Sequence, residues 1–305
     1  MRQSYPDESL RTLCALFGYT RQAYYEASHH FNKTTIANAI VLTLVKEMRQ
    51  EIPILGTRKL LFMLSEEFQR HGIKMGRDKL FDLLRFHGLL IRKRKRTVKT
   101  TDSHHWLKKY PNLIKELVIT TPEQLWVSDI TYIRTLQGFS YLSLLTDAYS
   151  RKIVGYALHE TLEAEGPLQA LRMAISKRKR NAPFVLIHHS DRGIQYCSAE
   201  YIAILRMENI AISMTQSGSP YDNSLAERVN GTIKNDFFPK RIYKDHKEAN
   251  EQIGRIIATY NEIRPHDSID YLTPQQAHEK EGPIKKRWKN YYALKKKEET
   301  MKDGE

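Results

Sequence analysis

An α/β fold with helices on both faces of its sheet, preceded by an all-helical N-terminal third, is what this sequence of 305 residues predicts. Three observations predict it. Apolar residues recur at helical spacing through the first ninety or so positions, the pattern turns strand-like at Leu125, and strands and helices then alternate. The chain is 28% charged and 41% hydrophobic with two cysteines, which excludes a disordered segment and a disulfide scaffold. At about 150 residues per domain it has room for about two domains. No apolar run approaches the ~18 residues of a bilayer span, and residues 1–17 lack the apolar stretch of a signal peptide, so a cytoplasmic protein is expected. Cys14 and Cys197 lie 183 positions apart without Cys-x-x-Cys or paired-His spacing, so they read as semi-buried thiols rather than zinc ligands.

The helical third is read in two parts. In residues 1–50, Ser9 can cap a helix with Leu10, Leu13 and Leu16, Gly18 stops it, and Thr20 can cap a second short helix over residues 21–25. That is a helix-turn-helix pattern. A longer helix follows over residues 35–49, with Ile36, Ile40, Val41, Leu44 and Met48 at helical spacing. In residues 51–100 the pattern returns: Gly56-Thr57-Arg58-Lys59 opens a helix with Leu60, Leu61 and Leu64, Gly72 ends it, and Gly76-Arg77 opens another with Leu80, Phe81, Leu83 and Leu84 before Gly88. Arg77, Lys79 and Arg85 lie off that last apolar stripe, which makes this the helix offered to a major groove. A plain helical bundle with solvated basic faces fits the same pattern.

Charge separates these readings. The net charge of +14 divides into +11 over residues 1–121, −1 over residues 122–282 and +4 over residues 283–305. Arg92-Lys93-Arg94-Lys95-Arg96, with Lys99, forms a linker expected to lie on phosphates, giving salt-dependent affinity and little base information. Basic ends around a neutral middle suit a chain whose arms hold a nucleic acid while the middle does chemistry that needs acids. Carboxylates facing phosphates are costly unless a metal ion intervenes.

In the middle, residues 125–134, 139–146 and 153–158 read as a three-stranded antiparallel meander, with turns at Gln137-Gly138 and over residues 147–151. A helix with Leu168, Leu171, Ala174 and Ile175 follows, then a strand over 184–187, a helix over 198–208, a strand over 210–214, and helices over 224–235 and 246–262. That element order, spanning residues 120–282, is the order of the ribonuclease H fold. Three acids stand out within it. Asp129 sits in Trp126-Val127-Ser128-Asp129-Ile130-Thr131-Tyr132, where β-branched and aromatic neighbours make a carboxylate expensive unless it is partnered. Asp191 follows the fourth strand in His188-His189-Ser190-Asp191-Arg192-Gly193, at the strand end where open α/β sheets gather their sites, though it also suits a cap for the turn before Gly193. Glu227 lies on a helix whose apolar stripe is Leu225, Ala226, Val229 and Ile233 and whose opposite face holds Glu227, Asn230, Gly231 and Lys234. Ser224-x-x-Glu227 is equally a capping box. Asp147 with Ser150 reads as turn chemistry, and Asp222 as a helix-start acid.

The spacing carries a resemblance. Asp129 lies 62 positions before Asp191, 35 residues separate Asp191 from Glu227, and Lys234 falls seven after Glu227. This resembles the D,D-35-E signature, with its trailing basic residue, of retroviral integrases and of insertion-sequence family three transposases. Trp126-x-x-Asp129-Ile130-Thr131-Tyr132, Asp147-x-x-Ser150-Arg151-Lys152-Ile153-Val154-Gly155, His189-Ser190-Asp191-x-Gly193-x-Gln195-Tyr196, Asn223-Ser224-x-Ala226-Glu227 and Tyr260-Asn261-x-x-Arg264-Pro265-His266 resemble the insertion-sequence branch. So do the arm segments from Phe17-Gly18 to Tyr25 and from Gly56 to Leu61, so that the likeness spans residues 10–280 or so. The zinc-binding domain of retroviral integrases is absent, which favours the transposase branch. In that family an upstream reading frame, often joined by frameshifting, supplies a further helix-turn-helix and a leucine zipper. No apolar heptad runs through three repeats here, so the chain reads as the downstream product alone, with the upstream product as a candidate partner.

The resemblance implies a bacterial, nucleoid-associated DNA transposase with a retroviral integrase-like core. It would bind double-stranded DNA, both the inverted ends of its element and the target. Cutting and joining DNA is an in-line displacement at phosphorus, in which two Mg²⁺ ions about 3.5–4 Å apart can serve the attacking and leaving oxygens. Magnesium prefers hard oxygen ligands and takes one or two carboxylates per ion. Asp129 would bridge both ions, Asp191 and Glu227 would each complete one, and Mn²⁺ would substitute. Lys234 would hold a phosphate of the element's end, with Arg21, Arg58, Lys59, Arg77, Lys79 and the run Arg92 to Arg96 as further DNA contacts. Water would free a 3′-hydroxyl that then attacks a second strand, commonly through a circular intermediate. Both ends must meet in one complex, so a homo-oligomer on DNA is expected. The tail over residues 283–305, with Lys285-Lys286-Arg287-Trp288-Lys289-Asn290-Tyr291-Tyr292 and Lys295-Lys296-Lys297, suits phosphate contact and base stacking, or simple solubilisation. Two other readings stay open: a DNA-binding repressor without catalysis, and a nuclease acting on RNA in hybrids.

Overall fold

Ser9 starts the first helix as its sequence suggests, its Oγ accepting from Thr12 N at 3.1 Å to cap α1 (Leu10–Leu16). The computed structural model describes residues 6–91, 106–178, 184–216, 223–238 and 242–285. It divides into two units, Met1–Glu51 with Leu55–Lys93, and Ile52–Ile54 with Arg94–Glu305. In the first unit Gly18 ends α1 at φ +70°, a conformation that costs glycine little and lets Tyr19 N reach Cys14 O at 2.9 Å. Thr20 Oγ1 then accepts from Ala23 N at 3.1 Å and opens α2 (Arg21–Glu51).

Here the structure corrects the sequence reading. Instead of a short helix and a separate longer one, α2 runs unbroken for 31 residues. Residues 26–34 contain no glycine or proline, so nothing interrupts the backbone ladder although that stretch buries little. The second expected pair also differs: its first helix divides at Leu64 into α3 (Thr57–Met63) and α4 (Ser65–Arg70), followed by α5 (Arg77–Phe86). Leu60, Leu64, Phe68, Leu80 and Leu84 are buried, the i, i+4 stripe that holds these short helices together. Arg49 ties the end of α2 to the flanking loops by donating to Leu89 O at 2.8 Å and Leu55 O at 3.2 Å. Cys14 and Cys197 are both free and buried.

The second unit is built on one sheet: β1 (Leu125–Thr135), β2 (Gly138–Asp147), β3 (Ile153–His159), β4 (Ile187–Ser190) and β5 (Ala211–Met214), in the order β3-β2-β1-β4-β5. The first three strands are antiparallel, while β4 and β5 run parallel to β1. This is the ribonuclease H-like sheet. The helices are α6 (Glu165–Lys177), α7 (Ala199–Met207), α8 (Ser224–Thr232), α9 (His246–Glu262) and α10 (Pro274–His278), with a π-helical turn at Ile233–Phe237. Alternation along β1 decides which helix covers which face. Trp126 packs with Leu168, Leu171, Tyr201 and Leu205 of α6 and α7, whereas Leu125 and Val127 pack with Ala226 of α8. Asp129, two residues beyond Val127, therefore faces α8.

Strand β4 begins three residues later than its apolar run suggests, and includes His188 and His189. Both imidazoles are buried, and each has a partner on one ring nitrogen. Tyr201 OH lies 3.0 Å from His188 Nε2, and Ser213 Oγ lies 2.8 Å from His189 Nδ1. Asp191 consequently follows the last strand residue directly.

Four residues named by sequence motif, Tyr260, Asn261, Arg264 and Gly155, turn out to hold the fold. Asn261 of α9 accepts from Ile153 N at 2.9 Å and donates to Ile153 O at 3.0 Å, satisfying backbone at the outer edge of β3 where no strand follows. Arg264 donates to Asp236 Oδ2 at 2.9 and 2.5 Å, and Tyr260 OH donates to Arg151 O at 3.1 Å. Gly155 marks a close crossing, since a Cβ there would lie 2.1 Å from Ala170 O and 3.0 Å from Ala174 Cβ of α6. Gly155→Ala is expected to cost about 1–3 kcal/mol by overpacking, read as a lower denaturant midpoint; an unchanged midpoint would contradict that crossing. No helix among the described residues is long and apolar enough to cross a membrane.

Candidate active site

The pairing of β1 with β4 places the first two acids. Leu125 pairs with Ile187, Trp126 with His188 and Val127 with His189, a constant offset of 62 positions. Asp129 and Asp191 are separated by that same offset. Carried two residues further, the same offset relates Asp129, midway along β1, to Asp191, just past the end of the adjacent parallel β4, and the charge of Asp191 acts on the Asp129 carboxyl. Asp129 Oδ2 accepts from Asn230 Nδ2 of α8 at 2.7 Å, and its Oδ1 accepts from Ile130 N at 2.9 Å. Asp191 Oδ1 accepts from Gly193 N at 3.0 Å, so the turn-capping role suggested by sequence is real and uses this oxygen.

Glu227 stands on the first turn of α8, one helical turn before Asn230. The helix is capped at Asn223 with no side-chain cap bond, so the capping box that Ser224 and Glu227 spell is not formed. Burial raises the pKa of Glu227. Asp129 is pushed up much further, to about 7, first by burial and then by the charge of Asp191; Asn230 and Ile130 N–H pull it back, and Glu227 adds a further upward push. The three acids thus share one electrostatic environment, with Asp129 at its centre and Glu227 at its margin. Among the described residues no group of three or more His, Cys, Asp or Glu side chains is gathered closely enough to hold a metal ion. The arrangement is a carboxylate pair with an outlying third, as mutual repulsion without a counter-charge favours.

These residues fit a divalent cation. Magnesium takes one or two carboxylates and completes its shell with water and substrate phosphate, so the Asp129–Asp191 pair is a sufficient donor set for one ion. A cation would also relieve the cost that raises the Asp129 pKa.

Sequence reasoning gave Asn230 no role, although it put Asn230 on the Glu227 face. Removing its donated bond is expected to raise the Asp129 pKa further, because a hydrogen bond to a charged group contributes ~1.5–3 kcal/mol. In Asn230→Ala the acid limb of cation-dependent activity should move to higher pH; an unmoved limb would show that the bond does not tune this carboxyl. Lys234 is partly buried and sits in the π-helical turn, not on a continuous α-helix. Its expected alignment with Glu227 assumed regular α-helical rotation, which the structure replaces from Ile233. Arg21, Arg58, Arg77 and Lys79 are exposed and Lys59 is half-buried, all at the starts of α2, α3 and α5. Arg77 Nε pairs with Asp78 Oδ1 at 2.8 Å, and Arg85 pairs with Asp82. Asp147 does the turn chemistry expected of it, accepting from Ser150 N and Oγ, both at 2.7 Å. Arg92, Lys93, Arg94, Lys95, Arg96, Lys99, Asp222 and residues 286–305 lie outside the described residues.

Two integrase core domain families match the second unit, over residues 120–220 and 208–274. Among curated proteins, the Insertion element IS600 uncharacterized 31 kDa protein of Shigella sonnei is 34% identical over 88% of this chain and 98% of that protein. The Transposase InsF for insertion sequence IS3fB of Escherichia coli (strain K12) is 31% identical over 70% of this chain and 74% of its own length. The chain belongs to the insertion-sequence family three transposases. The Transposase for insertion sequence element IS629 of Shigella sonnei is 28% identical over 87% of this chain and 90% of that protein. As a transposase with an integrase core domain, the chain is a DDE-type polynucleotidyl transferase. Among solved structures, the HTLV-2 integrase catalytic core domain matches with a TM-score of 0.41 and 21% identity, over 52% of this transposase and 97% of that chain. A simian T-cell lymphotropic virus intasome chain matches with a TM-score of 0.46 and 17% identity, over 77% of this chain and 75% of that one.

Proposed function

We propose that this transposase binds the inverted ends of its own insertion sequence and cuts and joins DNA strands there, with Asp129, Asp191 and Glu227 as the cation-holding catalytic residues. The observation that supports the reading is the coupling of two carboxyls on adjacent parallel strands: the 62-position β1–β4 register relates Asp129 to Asp191, and burial together with the charge of Asp191 raises the Asp129 pKa to about 7. Bound there, a pair of Mg²⁺ ions, or Mn²⁺ in their place, would supply positive charge to the attacking and leaving oxygens of an in-line displacement. The protein's own part is to hold the donors. Asp129 is fixed by Asn230 and Ile130 N and Asp191 by its turn to Gly193, while Glu227 stands at the margin on the first turn of α8.

The N-terminal helices supply the cations that the neutral middle lacks. Arg21, Arg58, Arg77 and Lys79 are solvent-facing, and with Lys59, Lys234 and the run Arg92 to Arg96 they are the proposed phosphate contacts. Affinity for an end-bearing duplex should fall with salt at a log–log slope of about −0.9 per phosphate neutralised, and Lys79→Ala should reduce that slope by about one contact. A slope unchanged in Lys79→Ala would remove α5 from the DNA contact. Joining two ends requires both in one complex, so the active species is a homo-oligomer on DNA. The test of the reading is cleavage of a duplex carrying the element's terminal repeat, with and without Mg²⁺. Cation-dependent nicking at the repeat is expected, and binding without nicking would leave only a repressor.

A further inference from the structure

Asp129, Asp191 and Glu227 sit on three separate segments, and a single residue touches all three. Ser128 precedes Asp129 on β1, and its side chain points to the opposite face of the sheet, where it is 3% exposed. Its Oγ donates to Tyr196 OH at 2.9 Å. Tyr196 belongs to the Asp191 loop, which it closes by donating its backbone N–H to Gly193 O at 3.0 Å. The carbonyl of Ser128 accepts from Asn223 Nδ2 at 3.0 Å, and Asn223 is the N-cap of the helix that carries Glu227.

The surroundings make this contact specific. Tyr196, Tyr201 and His188 form a buried group with ring centroids 5.4 to 6.2 Å apart, and Tyr201 OH lies 3.0 Å from His188 Nε2. Four polar side chains are thus buried among the apolar residues of α6, α7 and the sheet, a placement that is costly unless each finds a partner. An all-apolar cluster would fill that space without the requirement. The hydroxyls do add a fixed geometry: β1 cannot slide against the Asp191 loop without breaking the Ser128–Tyr196 bond.

We propose that Ser128 and Tyr196 are positioning residues, a hydrogen-bonded clamp beneath the sheet that sets the spacing of Asp129, Asp191 and Glu227 for divalent cation binding. The inference rests on the proposed roles of the three acids. Outer partners of this kind typically change cation affinity by about 10–100-fold when removed.

The test is a titration of the full-length chain with Mn²⁺ and with Mg²⁺, read as the rise in thermal midpoint and needing no DNA. Ser128→Ala and Tyr196→Phe each remove one hydroxyl and should keep a cooperative melt. Each is expected to raise the half-stabilising cation concentration by about tenfold, and the double variant no further than either single one, since both break the same bond. Ser128→Thr, which keeps a hydroxyl, should titrate close to the parent protein. Asp129→Asn serves as the reference and should show no cation stabilisation. If Asp129→Asn loses the response while Ser128→Ala and Tyr196→Phe titrate like the parent, even with lower cation-free midpoints, the two are ordinary packing residues and the clamp is refuted. If Asp129→Asn still responds, the reading of the acids fails first and the clamp falls with it.

Discussion

Asp191→Asn is expected to slow strand cleavage by about 10³-fold or more, the loss of ~4 kcal/mol of barrier lowering at 1.36 kcal/mol per decade, while leaving affinity for the same duplex unchanged. The substitution isolates charge from structure. The asparagine Oδ1 can still accept from Gly193 N, as the aspartate does at 3.0 Å, so the turn after β4 keeps its cap. Only the negative charge beside Asp129 is removed. A donor set reduced from two carboxylates to one holds a cation poorly, and the displaced oxygens lose their counter-charge. Cleavage rates on an end-bearing duplex, with a gel-shift measurement of binding alongside, check this. Parent-like cleavage by Asp191→Asn would show that Asp191 only caps a turn.

The second large effect concerns stability and runs in an unusual direction for an aspartate. In the unfolded chain the Asp129 carboxyl ionises near its ordinary value of 3.8, and in the folded, cation-free chain near 7. Between those values the folded state holds the extra proton, so stability falls as pH rises from about 4 to about 7 and stays at the lower level above that. A shift of about three units sets a ceiling of ~4 kcal/mol, and the residue as a whole is half-buried, so the effect falls below it. Asp129→Asn should therefore raise the cation-free thermal midpoint at pH 8, at ~2–4 °C per kcal/mol, and give almost no gain at pH 4. Mg²⁺ should stabilise the parent chain more at pH 8 than at pH 5, because below pH 7 it must displace the proton. Melting curves at the three pH values decide it. An Asp129→Asn variant that is less stable than the parent at pH 8 without cation would contradict the strained pair.

What could be read from the sequence follows physical range. The meander was legible because its signals are local: β-branched and aromatic residues over 125–134 and a turn at Gln137-Gly138. Strand β4 was misplaced by three residues because hydrophobicity pointed to 184–187, while the sheet selected 187–190. Only tertiary partners, Tyr201 for His188 and Ser213 for His189, make those imidazoles acceptable inside. The unbroken α2 was missed because a polar stretch without glycine or proline carries no positive helix signal, only the lack of a stop. At the site, the spacing of 62 was visible as a motif, yet its meaning as a strand register required the pairing of β1 with β4. Asn230 was placed on the correct helix face by periodicity, but a hydrogen bond spanning 101 positions has no local trace. Tyr260, Asn261 and Arg264, grouped by motif with the acids, instead hold α9 to β3 and the π-helical turn.

Direct binding of Mn²⁺ to the full-length chain, counted by the loss of its free electron paramagnetic resonance signal at pH 8, bears most immediately on the carboxylate pair. The parent should bind the ion, and Asp129→Asn and Asp191→Asn should each lose that binding while remaining folded. Undiminished Mn²⁺ uptake in both variants would contradict the account.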